Sequence, residues 1–90
     1  MNEIRFRLKG CQPYFIEHEL LPKLYFKENE KNTEYWIFYY AFIRGLSDEA
    51  IGIRLGYSRQ HILKLTKNIL EANLFLVLEF LKTQEKEVTE

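Results

Sequence analysis

The chain has 90 residues, of which 47% are apolar and 16% aromatic, and its formal net charge is zero. This length predicts a single domain over residues 1–90, and the apolar content excludes a disordered chain. Neutrality also argues against a general nucleic-acid coat protein, which would be strongly basic. The charge is uneven, however. Residues 44–67 carry five basic and two acidic side chains, whereas residues 68–90 carry two basic and five acidic ones. The middle of the chain therefore suits a polyanionic partner.

Neither a secretion signal nor a membrane span is evident in the sequence. Residues 2–9 are charged throughout, and the longest apolar run, residues 35–43, is too short to cross a bilayer. Cys11 is the only cysteine, so the sequence offers no internal disulfide and no cysteine metal site. It also shows no glycine-rich phosphate loop, carboxylate pair or nucleophile with a base. We therefore expect a cytoplasmic protein that is not an enzyme and uses no cofactor or metal.

The first predicted element is a strand. In residues 3–9 the apolar Ile4, Phe6 and Leu8 alternate with basic residues, and a period of two indicates a half-buried strand. No second strand of similar quality follows. Its partner would be the same strand of a second subunit, or a short segment that the pattern does not reveal.

Helices are expected in the next part of the chain. A short helix is predicted over residues 14–21, between two prolines, and the polar residues 27–32 indicate a loop. Residues 35–43 are apolar almost all round and would also fit a buried strand, but Gly45 provides a left-handed helix stop and favours a helix. The predicted fold class is therefore mainly α, a small helical bundle with a short N-terminal strand.

Residues 46–70 contain the pattern that indicates a function. Ser47 caps a short helix, Gly56 ends it, and Ser58 caps a second helix in which apolar residues recur at helical spacing. Two helices joined by so short a turn need a small side chain where they cross, and Gly52 supplies it. The turn also needs a residue with positive φ, which Gly56 supplies. This arrangement predicts a helix-turn-helix.

The start of the second helix would present long polar side chains with no acidic residue among them. A recognition helix in the major groove presents its first residues in this way. The candidates for base contacts are Arg59, Gln60 and Lys64. The candidates for phosphate contacts are Ser58, Lys67, Arg44 and Arg54. His61 either packs against the core or contacts DNA, and the whole basic face is alternatively a solvated helix surface.

The same stretch resembles the DNA-binding region of known bacterial regulators. An apolar helix is followed by Gly45-Leu46-Ser47, Asp48-Glu49, Ile51-Gly52, Leu55-Gly56 and Tyr57-Ser58. This order, over 36 of the 90 residues, resembles the sigma-factor region that binds the −35 promoter element and the LuxR-type domain. The resemblance implies sequence-specific DNA binding and transcription regulation. Those families usually carry alanine where Gly52 stands. Because polymerase-binding regions and a phosphoacceptor domain are missing, we expect a small stand-alone regulator of the kind that phages encode.

Residues 71–83 are predicted to form a C-terminal helix with a broad apolar stripe. The stripe includes Leu74, Val77, Leu78 and Leu81. It would pack against the 35–43 helix of the same chain or form a dimer interface, and the sequence leaves both open. Our prediction is a homodimer that binds double-stranded DNA. The alternative is a protein-interaction module of the same fold, which binds RNA polymerase or another host protein.

Overall fold

The computed structural model describes residues 2–88, and the side chains of residues 2–85. Within that range the chain forms six helices and no strand, which confirms the prediction of a mainly helical fold. The helices are α1 (Asn2–Lys9), α2 (Pro13–Phe15 followed by a π-helical turn, Ile16–Leu20), α3 (Thr33–Phe38 followed by a π-helical turn, Tyr39–Ile43), α4 (Asp48–Leu55), α5 (Arg59–Ala72) and α6 (Leu74–Val88). A 3-10 turn, Leu21–Lys23, ends α2. None of the described helices combines the length and apolarity that a membrane span requires.

The predicted N-terminal strand is wrong, because its residues form α1. Ile4 and Leu8 alternate with basic residues, but they also lie one helical turn apart and can share a helix face. Leu8 is fully buried and Ile4 half-buried, whereas Phe6, which a strand would have placed beside them, is 79% exposed. A helix satisfies its own backbone hydrogen bonds, so α1 does not need the strand partner that the sequence pattern had called for.

Two ion pairs hold α1 against other helices. The guanidinium of Arg5 donates to the carboxylate of Asp48 in the first turn of α4, and both side chains are largely buried. Arg7 pairs with Glu85 on α6 at a more exposed position. Basic residues that would have lined the outer face of a strand therefore connect α1 to two other helices.

The core on one side of the molecule is formed by α3, α4 and α5, which pack against one another. The buried side chains that they contribute are mainly aliphatic and aromatic: Ile37, Phe38, Ala41, Phe42, Ile51, Ile62, Ile69 and Leu70. The expected stop of α3 is confirmed, since Gly45 has a φ of 71° and the next amide, Leu46 N, donates to Tyr40 O at 2.8 Å. The aromatic side chains Tyr35, Trp36, Tyr39 and Tyr40 remain at the surface of α3, which is how a helix with Glu34 as its only charged residue is accommodated.

On the other side, α6 packs against α1, α2 and α5. It begins after Asn73, whose buried amide accepts a hydrogen bond from Tyr25 N (2.7 Å) and donates to Tyr25 O (2.8 Å). Asn73 thereby fixes the break between α5 and α6 to the loop after α2.

The apolar stripe of α6 is divided between the core and the surface. Val77 and Leu81 are buried within the chain and Leu74 is half-buried, whereas Leu78 is 42% exposed. The stripe therefore packs within the chain, with α1 and α2 among the covering helices. Of the predicted dimer interface, Val77 and Leu81 belong to the monomer core, and Leu78 is the residue left at the surface. Phe75, which is 75% exposed, lies on the same outer face.

Candidate nucleic-acid interface

The connection between α4 and α5 is short and well defined by hydrogen bonds. Ser47 Oγ accepts from Ala50 N at 3.2 Å, and Ser58 Oγ accepts from His61 N at 3.1 Å, so each serine caps its helix as expected. Gly56 has a φ of 80°, which confirms the predicted left-handed turn residue. The hydrogen bonds at the starts of α4 and α5 and at the end of α4 are all made by neighbouring residues. These local bonds define the turn and so fix α5 relative to α4.

Gly52 is the point of closest approach between α4 and the turn. Its carbonyl oxygen accepts from Gly56 N and from Tyr57 N, each at 2.8 Å. A Cβ atom at this position would lie 2.4 Å from the carbonyl oxygen of Tyr57, which is far inside van der Waals contact. The requirement for a small residue is thus stricter than the sequence suggested. An alanine, usual in the resembling families, would demand a wider turn than this chain has.

One face of α5 is built into the core and the opposite face is free. Ile62, Thr66, Ile69 and Leu70 are buried, and Thr66 Oγ1 donates to Ile62 O at 2.8 Å, which satisfies the hydroxyl within the helix. The exposed side chains at the start and along the outer face include all those proposed from this part of the sequence: Ser58, Arg59, Gln60, His61, Lys64 and Lys67. The first acidic residue of α5 is Glu71, whose carboxylate oxygen lies 4.0 Å from Lys67 Nζ.

The structure brings three of these residues together beside α1. Gln60, Lys64 and Lys67 line a cleft of about 350 Å³ whose other wall includes Asn2 and Arg5. Two cationic side chains and an amide on adjacent turns of one helix can reach the edges of neighbouring base pairs or phosphates.

Arg44 and Arg54, two of the predicted phosphate contacts, lie away from the cleft, and the structure also shows how His61 is placed. Arg54 places its guanidinium over the ring of Tyr40, 5.4 Å from the ring centre, so it is engaged with α3. Arg44 is exposed just after the end of α3. His61 is exposed while its ring lies 4.8 Å from the ring of Tyr57, which means that packing and solvent contact are compatible.

Three residues beside this face were missed by sequence reasoning. Leu63 is 47% exposed and lines the cleft with Gln60, as do Asn2 and Arg5 of α1. Leu63 follows the buried Ile62 by one residue and is therefore turned about 100° away from the core, which helical spacing alone could have shown. Asn2 and Arg5 carried no such signal, because Arg5 belonged to the predicted strand of residues 3–9 and Asn2 to no predicted element.

The remaining reactive group, Cys11, lies outside this face. Its thiol donates weakly to Arg7 O at 3.5 Å. Burial raises the pKa of the Cys11 thiol above its usual value, the Arg7 charge opposes this, and Glu85 adds to it. The thiol is therefore protonated at neutral pH, which is the less nucleophilic form. Within the described residues there is no cluster of three or more metal-ligand side chains.

No protein-family model, curated protein or solved structure matches the chain.

Proposed function

We propose that the chain is a DNA-binding regulator in which α4, its turn and α5 act as a helix-turn-helix. In this arrangement the start of α5 enters the major groove of double-stranded DNA, and α4 lies across the backbone. Arg59, Gln60 and Lys64 contact base edges, and Leu63 is suited to the methyl group of thymine. Ser58 and Lys67 contact phosphates beside them.

One observation carries this proposal: the outer face of α5 is exposed, basic and rigidly held. Its exposed residues from Arg59 to Lys67 include no carboxylate. The close approach at Gly52 fixes the angle between the two helices, so the backbone of α5 has its orientation before DNA arrives. A merely solvated face needs neither this one-sided charge nor a fixed crossing. Arg44 and Arg54 remain candidates for outer phosphate contacts, and Arg54 would have to leave Tyr40 to make one.

The exposed pair Phe75 and Leu78 on α6 supports a homodimer. In a two-fold pairing of α6 helices, Phe75 of each copy would cover Leu78 of the other, so one patch serves both sides of the interface. A dimer would place two recognition helices on half-sites about 34 Å apart. The predicted role in transcription, including an origin in a phage, remains part of this proposal.

The proposal is tested by selecting bound fragments from a random DNA pool and then measuring affinity for the selected site. Arg59→Ala and Lys64→Ala should each weaken specific binding by about 1–3 kcal/mol. Affinity should also fall on the order of a hundredfold between about 50 and 200 mM salt, because released counterions favour binding most at low salt.

Lys23→Ala is the matched control, because it removes an exposed positive charge from the turn after α2 and not from α5. It should bind like the parent. Binding that is unchanged in both α5 variants, or no selected site at all, would show that α5 is not a recognition helix.

A protein-interaction module is the second candidate function, and the exposed apolar residues favour it. Ile53 on α4 is 77% exposed and Phe75 on α6 is 75% exposed. RNA polymerase or another protein that covers such residues would bind through apolar contact, and salt would weaken that complex little. The salt dependence of binding therefore separates this candidate from DNA recognition.

A further inference from the structure

A set of stacked aromatic rings runs along the surface of α3. Tyr35 stacks on Tyr39 with ring centres 6.2 Å apart, and Trp36 stacks on Tyr40 at 5.6 Å. We call these four residues the ring ladder. All four are half-exposed or exposed, so the ladder lies at the surface of the molecule. The ladder ends at the loop after α2, where Phe26 packs against it.

A cavity of about 320 Å³ opens where the ring ladder meets this loop. Its lining residues are Phe26, Lys27, Glu28, Asn32, Tyr35 and Trp36. Sites for small ligands commonly start at about 300 Å³, so a compact group of a few heavy atoms fits with room to spare. This cavity shares no lining residue with the cleft beside α5.

The three rings of the cavity face different directions. Phe26 meets Tyr35 at 80°, with ring centres 5.6 Å apart, and Trp36 meets Tyr35 at 88°, with centres 5.2 Å apart. Tyr35 therefore stands nearly perpendicular to both neighbours, and several ring faces and edges border one space. The faces of aromatic rings carry negative electrostatic potential, so such a space attracts a cation without requiring an ion pair.

The charges around the cavity have a small negative excess. The lining includes one charge of each sign, Glu28 and Lys27, and Glu34 Oε1 accepts from Lys27 N at 2.9 Å, which adds a second carboxylate to the same loop. Residues 27–34 carry three carboxylates against two lysines. At the other end of the ring ladder, the guanidinium of Arg54 already lies over Tyr40. The ring ladder thus already contacts one cation of the chain at the Tyr40 end, and the cavity lies at its Tyr35 end.

The loop that closes the cavity is held in shape. Asn32 has a φ of 51°, the one positive φ at a non-glycine residue in the part of the chain that the structure describes. Asn29 holds the loop in this conformation, because Asn29 Oδ1 accepts hydrogen bonds from Lys31 N and Thr33 N, each at 3.1 Å. Asparagine tolerates this left-handed backbone better than most residues, and a preformed loop lowers the entropy cost of binding.

We propose that this cavity binds an alkylated ammonium group, held by the rings of Phe26, Tyr35 and Trp36 and by the carboxylate of Glu28. Alkylation matters because methyl groups weaken the hydration of the cation and fill the apolar space, whereas a bare ammonium is better solvated in water. The group is either part of a free small molecule or a trimethylated lysine side chain of another protein. This inference is independent of the proposed DNA binding.

Trp36 is the single tryptophan of the chain and reports directly on the cavity. The full-length protein is titrated with tetramethylammonium chloride while tryptophan fluorescence is recorded. Sodium chloride controls for ionic strength, and neopentyl alcohol controls for shape because it is a neutral molecule of similar form. We expect a saturable change with tetramethylammonium alone. No saturable change, or an equal one with the neutral alcohol, would overturn the proposal.

Variants then test the individual contacts by calorimetry. Tyr35→Leu should weaken tetramethylammonium binding about fivefold or more, which corresponds to about 1 kcal/mol of cation–π attraction. Phe6→Leu is the matched control, because it removes an exposed aromatic ring on α1, outside the cavity. Thermal unfolding is measured for each variant.

Glu28→Gln keeps the test decisive if Tyr35→Leu does not fold, because Glu28 is exposed and its loss leaves the rings in place. It should weaken binding about twofold and reduce the dependence on salt. Unchanged binding in every folded cavity variant would refute the site. Choline and a trimethyllysine peptide, compared with its unmethylated form, then identify which source of the cation binds more tightly.

Discussion

Gly52 is required because there is no room for a side chain, and Gly56 is required because its φ is positive. A Cβ atom at Gly52 would meet the carbonyl oxygen of Tyr57 at 2.4 Å, whereas nothing lies within 4 Å of a Cβ at Gly56. The φ of 80° is the requirement at Gly56 instead. Two glycines four residues apart therefore resist substitution for different physical reasons, steric in one case and conformational in the other.

Gly52→Ala is expected to lower the free energy of unfolding by about 1–3 kcal/mol, because the new methyl group forces the turn away from α4. Urea unfolding followed by circular dichroism measures the change. The control is Gly10→Ala, since a Cβ there would lie 3.4 Å from the nearest atom, Arg7 O, in ordinary contact. Equal stability of both variants would mean that the turn relaxes without cost.

The helices differ in how far the sequence could predict them. The two helices and turn of residues 47–72 were predicted closely, because caps at Ser47 and Ser58 and the stop at Gly56 are local signals. α1 was not, since spacing fits both a strand and a helix over eight residues, and contacts distant in sequence decide between them.

The candidate site also has one part that the sequence predicts and one part that it does not. The exposed side chains of α5 followed from helical spacing, while the presence of α1 beside them rests on contacts distant in sequence, such as the ion pair between Arg5 and Asp48, 43 residues apart. Which helices pack on the apolar stripe of α6 was uncertain because those contacts are also distant in sequence. The sequence offered the 35–43 helix as a cover for the stripe, whereas α6 packs against α1, α2 and α5.

The two ion pairs of α1 should differ in their effect on stability. Arg5→Ala is expected to destabilise the protein by about 1–3 kcal/mol, because it leaves the largely buried carboxylate of Asp48 without its partner. Arg7→Ala should cost at most about 1 kcal/mol, because its pair with Glu85 is much more exposed to water. Thermal unfolding of the two variants side by side measures the difference, and an equal loss would contradict this account of α1.

At the scale of the whole molecule, the outer face of α6 is the surface proposed to bind a second copy of the chain. Phe75 and Leu78 are exposed on it, and the charged residues Glu79 and Lys82 flank them. Neighbouring residues of opposite charge on one face suit a partner with the same sequence, because each copy can supply both signs. This arrangement is consistent with the homodimer proposed above.

Leu78→Glu is expected to give a monomer of nearly unchanged stability, because the side chain already borders water. Leu81→Glu should instead unfold the chain, since Leu81 is 3% exposed and its replacement buries a charge. Sedimentation equilibrium at micromolar concentration gives the mass of the parent and of Leu78→Glu, and circular dichroism gives the fold of both variants. A parent protein that sediments as a monomer would exclude the dimer and leave the DNA-binding proposal standing.

The two π-helical turns have a consequence for tolerated changes in chain length. In α3 the turn is visible as a bond from Arg44 N to Tyr39 O, five residues apart, and it packs against the matching turn of α2. Deleting one residue from Tyr39–Ile43 would restore a regular helix, but it would rotate residues 33–38 by about 100° relative to α4. Ile37 and Phe38 would then leave the core. The residue count between Trp36 and Gly45 is therefore expected to stay constant among related chains.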